Sequence, residues 1–208
     1  MKVYEYKGFP NPARVRLALA EKGLVDDVEF IHVDVPAGAS RSPEFLAINP
    51  SGAVPVLVLN DGTVISESAA ITEYLDHLSG EPTLTGLNPK ERGIIHMMQR
   101  KVEDGLLEAV AAYFHHATPG LGPEMETYQN AEWGQKRREV AMKTIQWMNA
   151  VLEEQDYLAA DRLTVADITA YAGFAFADFA EIAIPEECSH VIAWRNRISS
   201  RATTSILA

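Results

Sequence analysis

The chain has 208 residues, of which 47% are hydrophobic, and a formal net charge of −11 at pH 7. This length and apolar content allow one large domain or two small domains with a real core. The acidic balance argues against nucleic acid and against an anionic membrane as the main partner. The single cysteine, Cys188, excludes an intramolecular disulfide and a multi-cysteine metal site, which fits a reducing compartment.

The first residues and the apolar runs favour a cytoplasmic protein. Residues 1–6 lack the long apolar core of a signal peptide. No apolar run approaches the roughly 20 residues that a membrane helix needs. We therefore expect a cytoplasmic location and no membrane partner.

Strand and helix patterns alternate through the N-terminal part of the chain. Proline at position 12 suits a first helical turn, Gly23 suits a helix end, and Asn60-Asp61-Gly62 is typical of a tight hairpin. In chain order we predict strand 2–6, helix 13–22, strand 28–33, helix 43–48, strands 56–59 and 63–65, and helix 67–78. This order predicts an α/β domain of thioredoxin type over residues 1–79, which begins with a right-handed crossover unit.

Residues 80–89 are rich in turn-forming glycine and proline and are predicted to be a linker. Strand patterns nearly vanish beyond it, so residues 90–208 are predicted to form an all-α bundle. Its helices are predicted at 90–116, at 124–154 with an interruption near Trp133-Gly134, and at 168–179. Thr164 and Asp167 before the last of these have capping-box spacing, and its nearly all-apolar surface predicts a buried central helix.

Two short segments of the α/β domain indicate a cradle for a small peptide. Pro55 stands directly before an apolar strand, where proline, often with a cis bond, leaves a neighbouring backbone group unpaired. Glu67 and Ser68 open a helix whose free N–H groups attract a carboxylate. Each feature also has a structural interpretation: Pro55 as an edge-strand proline, and Glu67 and Ser68 as helix caps.

Four stretches give the chain a family resemblance: F-P-N-P-A-R-V-R, N-P-S-G-A-V-P-V-L, S-E-S-A-A-I and L-T-V-A-D-I. Each is weak alone, but together and in this order they resemble the soluble glutathione transferases. The segment from Tyr113 to Gly122 further resembles an atypical yeast-type branch of that family. The resemblance implies a cytoplasmic detoxification enzyme that conjugates glutathione, as co-substrate, to small apolar electrophiles, without a metal.

The resemblance also implies how glutathione binds. The Val54 backbone, ahead of a cis Pro55, pairs with the cysteinyl part. Glu67 takes the ammonium of the γ-glutamyl end, and Ser68 with the helix start takes its carboxylate. Ser40 and Arg41 fall in the loop that reaches the glycyl carboxylate, and Arg41 is the better candidate because guanidinium grips a carboxylate with two bonds.

Phe9 stands where many family members have a serine, cysteine or tyrosine that donates to the thiolate. Other groups must therefore supply that stabilisation. Asn11 has an amide donor at a helix start, together with the loop N–H groups. Tyr6 has a phenol, but it could equally lie in the core.

His115 could hold a water that takes the thiol proton. Asn11 could instead be only a turn residue, and His115 with His116 only a helix C-terminal pair.

The resemblance assigns the remaining roles by position. Phe9, Tyr113 and Phe114 are implied to line an apolar pocket for the electrophile. A homodimer is implied, in which Asp104 reaches the ligand amine of the neighbouring subunit. Because Phe9 is not a donor, a non-catalytic glutathione-binding or stress-regulatory protein is the alternative. Glutathione-dependent disulfide exchange is disfavoured, because the first domain has no cysteine.

Overall fold

The computed structural model describes residues 1–78 and 80–207. The chain divides into two compact units. The first comprises Met1–Pro82 and the C-terminal residues from Thr203 onward, and the second comprises Thr83–Ala202. Ser79, at the predicted end of the first domain, and residue 208, at the predicted end of the second, lie outside the described residues.

The first unit is built around a four-stranded mixed sheet of order β2-β1-β3-β4. Strand β1 pairs in parallel with β2 and antiparallel with β3, which pairs antiparallel with β4. Its elements are β1 Lys2–Glu5, α1 Pro10–Glu21, β2 Glu29–His32, α2 Pro43–Ile48, β3 Val56–Val58, β4 Val64–Ser66 and α3 Ser68–Leu78. The parallel β1–β2 pair enclosing α1 is the predicted crossover unit, and the predicted thioredoxin-like fold is confirmed.

Each face of this sheet is covered by its own apolar cluster. On one face Val33 and Val56 pack with Phe45 of α2, and Tyr4 and Val54 join them. On the other face Val3 and Leu57, which are cross-strand partners, are fully buried. Alternation along the strands therefore divides the side chains between two buried faces, as an α/β unit requires.

The structure corrects the start of α1, which begins at Pro10 and not at residue 13. A proline costs a helix little in the first turn, because the N–H groups there have no intrahelical acceptor. The predicted hairpin is confirmed: Asp61 Oδ1 accepts from the Thr63 N–H at 2.9 Å, and Gly62 has φ +87°. Hydrogen bonds from the backbone and side chain of Thr63 lower the pKa of the exposed Asp61 carboxyl.

Thr203 and Ile206 are bonded to α1 of the first unit. Arg16 Nη1 donates to the Ile206 carbonyl at 3.5 Å, and the Thr203 hydroxyl donates to Glu21. The sequence prediction included these residues in the helical domain. A polar chain end carries no periodic pattern that would reveal such a contact.

The second unit contains helices and connecting loops and no strand among its described residues. Its helices are α4 Pro89–Val102, α5 Glu108–Ala117, α6 Ala131–Glu154, α7 Val165–Phe179 and α8 Ser189–Ser199. Helix α4 packs on α7, α5 on α6, and α6 on α8. No helix among residues 1–78 and 80–207 is long and apolar enough to cross a membrane.

A π-helical segment, Glu103–Leu107, joins α4 to α5 in place of the uninterrupted helix predicted for residues 90–116. A π turn inserts one extra residue and displaces the local carbonyls from the α-helical pattern. Arg137 of α6 donates to the Asp104 carbonyl at 2.6 Å and so satisfies that group. Gly105 allows the close approach, since a Cβ there would lie 2.5 Å from the Thr144 hydroxyl oxygen.

Helix α6 begins at Ala131, so the predicted helix from residue 124 was wrong over its first seven residues. Asn130 caps α6 by accepting from the Trp133 N–H at 3.0 Å. Gly134 lies inside the helix and does not interrupt it. Residues 124–130 form a loop, in which Glu126 and Gln129 are both bonded to His115 at the end of α5.

A buried carboxylate, Asp167, holds the start of α7. Its Oδ1 accepts from the Leu158 N–H at 2.9 Å and from Trp194 Nε1 at 3.0 Å. Its Oδ2 accepts from the N–H and hydroxyl of Thr164 at 3.0 and 2.9 Å. Burial raises the pKa of Asp167, whereas these four bonds oppose that rise. The predicted capping box is confirmed, and it also ties in Trp194 of α8.

We expect Asp167→Asn to lower the free energy of unfolding by about 2–4 kcal/mol. Asparagine has one acceptor oxygen, so its NH2 group would face two of the four buried donors. The measurement is urea unfolding followed by circular dichroism. Asp161→Asn, at a side chain that is 93% exposed, is the control and is expected to change stability by less than about 0.5 kcal/mol. Equal stability of the two variants would contradict the role assigned to Asp167.

Candidate functional site

In the loop before β3, the backbone ahead of Val56 lies outside the strand pairing. The Val54–Pro55 peptide bond is cis, and Pro55 is buried. Pairing of β3 with β1 and β4 begins at Val56. The backbone of Val54 therefore lies outside the strand ladder, and its side chain is anchored by packing against the cluster of Val33, Phe45 and Val56.

Asn49 organises this loop from inside. Its Nδ2 donates to the Ala53 carbonyl at 2.8 Å. Its Oδ1 accepts from the Ser51 hydroxyl at 3.0 Å and from the Ser51 N–H at 3.3 Å. Asn49 is buried, so these bonds are shielded from competition with water. One side chain thus sets the backbone directly ahead of Val54.

The Arg41 side chain lies next to Gly52 of this loop and is exposed, whereas Ser40 is buried. Gly52 has φ +66°, and a Cβ there would lie 3.3 Å from Arg41 Cδ and 3.1 Å from the Ser40 carbonyl oxygen. Gly52 leaves space for the Arg41 side chain, so a positive charge lies next to the loop of residues 49–54.

Glu67 holds an unusual backbone conformation between β4 and α3. Its φ is +68°, a left-handed value that costs a non-glycine residue about 1–2 kcal/mol. Its carbonyl accepts from the Ile71 N–H at 2.9 Å and so starts α3. The exposed Glu67 side chain therefore stands at the N-terminus of α3, beside N–H groups that attract an anion.

Asn11 connects the starts of α1 and α3. The buried Ser68 hydroxyl donates to the Asn11 carbonyl at 3.3 Å. Arg14 Nη1 donates to Asn11 Oδ1 at 3.0 Å, and Arg14 is itself buried. Because its oxygen accepts from Arg14, the Asn11 side chain is oriented with its NH2 group directed elsewhere.

The start of α1 has few N–H donors. Phe9 is the N-cap residue, and Pro10 and Pro12 carry no N–H. Asn11 is thus the residue that supplies a backbone N–H among positions 10–12. The Tyr6 ring contacts the rings of Phe9 and His32, with ring centres 4.6 and 5.3 Å away, so it belongs to an aromatic cluster.

In the second unit, His115 at the end of α5 is bonded to a carboxylate. Its Nδ1 lies 2.7 Å from Glu126 Oε1. The neighbouring Phe114 ring contacts His115 at 5.1 Å, edge to face, and also contacts Phe176 and Phe179 at 5.4 and 5.5 Å. These three phenylalanines form an aromatic surface, of which Phe179 is 71% exposed.

Tyr113 and Asp104 both have arginine partners within the second unit. The Arg138 guanidinium lies 5.9 Å from the centre of the Tyr113 ring. Arg137 Nη2 lies 3.2 Å from Asp104 Oδ1, and the Asp104 side chain is 68% exposed. Among the described residues, no group of three or more His, Cys, Asp or Glu side chains could hold a metal ion.

Sequence reasoning missed three residues that shape these surroundings: Asn49, Arg14 and Glu126. Asn49 follows a short helix and precedes Pro50, which is a turn pattern that could have drawn attention to it. Arg14 lies inside a helix pattern that does not single it out, and the structure shows it buried with Nη1 bonded to Asn11 Oδ1. Nothing in the sequence marks Glu126 as a site residue, because it falls within the helix predicted for residues 124–154.

Comparison with known proteins identifies the family. Residues 10–78 match the model of the glutathione S-transferase N-terminal domain, and residues 105–202 match that of the C-terminal domain. The chain belongs to the glutathione S-transferase family. Glutathione S-transferase 2 of Saccharomyces cerevisiae is 49% identical over 207 residues, which covers 100% of this chain and 89% of that protein.

Solved structures agree with this identification. A glutathione S-transferase domain-containing protein from Marinobacter aquaeolei aligns with TM-score 0.96 and 55% identity, over 98% of this chain and 100% of its own. Gtt2 from Saccharomyces cerevisiae aligns over 100% of both chains with TM-score 0.97. The predicted family, fold class and glutathione S-transferase activity are confirmed, whereas the roles of individual residues stay predictions.

In this glutathione S-transferase we expect Asn49→Ala to weaken glutathione binding and to lower the free energy of unfolding by about 1–3 kcal/mol. The loss follows because the Ala53 carbonyl and the Ser51 N–H would lose their partner. Calorimetric titration and urea unfolding measure the two effects. Glu44→Ala, at an exposed position of α2 outside these bonds, is the control. An Asn49→Ala protein with unchanged glutathione affinity would show that the loop does not need this clamp.

Proposed function

We propose that the first unit binds glutathione in an extended form along the loop that ends at Val54. The support is the Val54 backbone, which lies outside the ladder and is held by Asn49 and the apolar cluster. A peptide group can pair with such a backbone as an added strand does. In this arrangement the Val54 N–H and carbonyl pair with the cysteinyl residue of the tripeptide, next to Pro55.

Glu67 and Ser68 are proposed to bind the γ-glutamyl end. The exposed Glu67 carboxylate suits an ammonium group, and the N–H groups at the start of α3 suit a carboxylate. The left-handed conformation of Glu67 supports this role, because a strained non-glycine residue persists mainly where function requires it. The Ser68 hydroxyl, which donates to Asn11, links this end to the start of α1.

Arg41 is proposed to bind the glycyl carboxylate. Its guanidinium is exposed and its stem packs against Gly52 of the Asn49 loop. Ser40 is buried, so we assign it a supporting role through the shape of the loop.

The thiol is proposed to be activated by the start of α1, without a hydroxyl or thiol donor at position 9. Lowering a thiol pKa by one unit requires about 1.4 kcal/mol of preferential thiolate stabilisation. A hydrogen bond to a charged group contributes about 1.5–3 kcal/mol, and a helix N-terminus about 0.3–1 kcal/mol. One donor at this helix start is therefore sufficient, and Phe9 does not prevent catalysis.

Asn11 is the donor that the contacts favour. Arg14 fixes the amide oxygen, so the NH2 group is oriented to donate. Tyr6 is a weaker candidate because its ring packs against the rings of Phe9 and His32. His115 is proposed to contribute to turnover by accepting a proton at Nε2.

The electrophile is proposed to be small and apolar, in keeping with the partly exposed aromatic surface at Phe114.

We further propose that the enzyme is a cytoplasmic homodimer. Ile94 and Met97 are 37% and 48% exposed on α4, one turn apart, which is consistent with an apolar contact surface. Asp104 is proposed to reach the ligand of the neighbouring subunit. Its exposed carboxylate is oriented by Arg137 from its own chain.

We expect Glu67→Asn to weaken glutathione binding at least about tenfold without loss of stability. The loss of charge removes the ammonium partner, whereas asparagine tolerates a left-handed backbone better than glutamate does. Calorimetric titration and thermal unfolding separate the two effects. Ser68→Ala is expected to weaken binding as well, and Glu44→Gln, at an exposed position of α2, is the control. No detectable glutathione binding to the unmodified protein at millimolar concentration would overturn the proposal.

We expect Asn11→Asp to raise the pKa of bound glutathione and to lower kcat about tenfold or more. Aspartate keeps an oxygen for Arg14 but lacks the amide donor. The ultraviolet absorbance of the thiolate, followed against pH, gives that pKa. Tyr6→Phe keeps the aromatic stack, removes the phenol and serves as the matched control. If Tyr6→Phe raises the thiol pKa and Asn11→Asp does not, the two assignments are reversed.

A further inference from the structure

We infer that Glu126 is the positioning residue of His115: its carboxylate holds the imidazole with the proton on Nδ1 and leaves Nε2 as a proton acceptor. This inference rests on the proposed contribution of His115 to turnover. It goes beyond that proposal by naming the group that makes this histidine suitable as a base.

The His115–Glu126 contact has the geometry of a charge-assisted hydrogen bond. Nδ1 and Oε1 are 2.7 Å apart, and Oε1 also accepts from the Leu121 N–H at 2.8 Å. The Glu126 side chain is only 10% exposed, whereas that of His115 is 40% exposed. A shielded carboxylate accepts but does not donate when ionised, so neutral His115 must carry its proton on Nδ1. Nε2 then has a free lone pair on the more exposed residue of the pair.

The loop after α5 is shaped to hold this carboxylate. Gln129 Nε2 donates to the His115 and Thr118 carbonyls, each at 2.8 Å. Gly120 has φ +57°, and a Cβ there would lie 2.2 Å from Glu126 Oε1. Only glycine therefore leaves room for the Glu126 carboxylate beside Leu121. These bonds return the chain toward the end of α5, where the imidazole lies.

The adjacent His116 provides an internal comparison. Its Nδ1 accepts from the Asn130 N–H at 3.1 Å. Neutral His116 therefore carries its proton on Nε2, and its acceptor nitrogen is already used in the start of α6. The two histidines are held in opposite tautomers, and of the two only His115 offers an acceptor at Nε2. A general base needs such an acceptor.

Glu126 could also be a purely structural residue that closes the loop. A structural role would change stability and loop order. A positioning role predicts three further effects: a fall in kcat with little change in KM for glutathione, dependence of that fall on His115, and a change of the His115 tautomer.

The kinetic test compares Glu126→Ala with Glu124→Ala, an exposed glutamate of the same loop. We expect Glu126→Ala to lower kcat about tenfold with KM for glutathione nearly unchanged, and Glu124→Ala to match the unmodified enzyme. Glu126→Gln retains an acceptor oxygen and is expected to recover part of the loss. In a His115→Ala background, Glu126→Ala is expected to have no further effect on kcat.

The spectroscopic test does not depend on activity. Long-range proton–nitrogen NMR spectra of the imidazoles are expected to show the His115 proton on Nδ1 in the unmodified protein. In Glu126→Ala we expect it to move to Nε2, the form that histidine favours in water, and in Glu126→Gln to stay on Nδ1. An unchanged tautomer in Glu126→Ala would overturn the inference, and so would a proton on Nε2 in the unmodified protein.

The outcomes separate the two proposals. If His115→Ala keeps full kcat, the role of His115 fails, and the catalytic role of Glu126 fails with it. If His115→Ala lowers kcat but folded Glu126→Ala does not, the inference about Glu126 alone is wrong. Should Glu126→Ala fail to fold, Glu126→Gln with an unchanged kcat and a proton on Nε2 would be the contradicting result.

Discussion

The hydrogen bonds of Asn11 join the starts of two helices, and the proposed glutathione site depends on that junction. Its carbonyl accepts from Ser68 at the start of α3, and its side-chain oxygen accepts from Arg14 within α1. Both partners are buried, so the loss of either bond would leave a polar group without water. The two helix N-termini are thereby held together, and both favour anions. In the proposed site these anions are the γ-glutamyl carboxylate at α3 and the thiolate at α1.

In the proposed mechanism, this arrangement accounts for a phenylalanine at position 9, where the family resemblance implies a hydroxyl or thiol donor. The required stabilisation is small, and it depends on orientation more than on the kind of donor. Pro10 and Pro12 remove N–H groups from the first turn of α1, so the donors that remain belong to Asn11. A site built in this way is sensitive to the packing of Arg14, which lies behind the amide.

In the second unit, shielded carboxylates join separate elements through hydrogen bonds, as Asn11 does in the first unit. Asp167 collects four donors and joins α7 to Trp194 of α8. Glu126 collects an imidazole and a backbone N–H and joins a loop to the end of α5. Each carboxylate is shielded from water and bonded to specific donors, so each geometry is well defined. At Asp167 the result is a fixed helix start, and at Glu126 it is a fixed imidazole.

The sequence by itself determined the family, the thioredoxin-like order of elements, the hairpin at Asn60–Gly62 and the capping box at Thr164. The family follows from the resemblance carried by four motifs. The order of elements, the hairpin and the capping box depend on local chemistry, because periodicity, turn residues and cap spacing act over a few residues. Only the tertiary structure decided the loop at residues 124–130, the π segment at Glu103–Leu107, the clamp by Asn49 and the partners of Asn11 and His115. Glu126 favours a helix by propensity, but its bond to His115, eleven residues earlier, outweighs a preference of a few tenths of a kcal/mol. Contacts between residues far apart in the chain leave no periodic mark, so they appear only when the chain is folded.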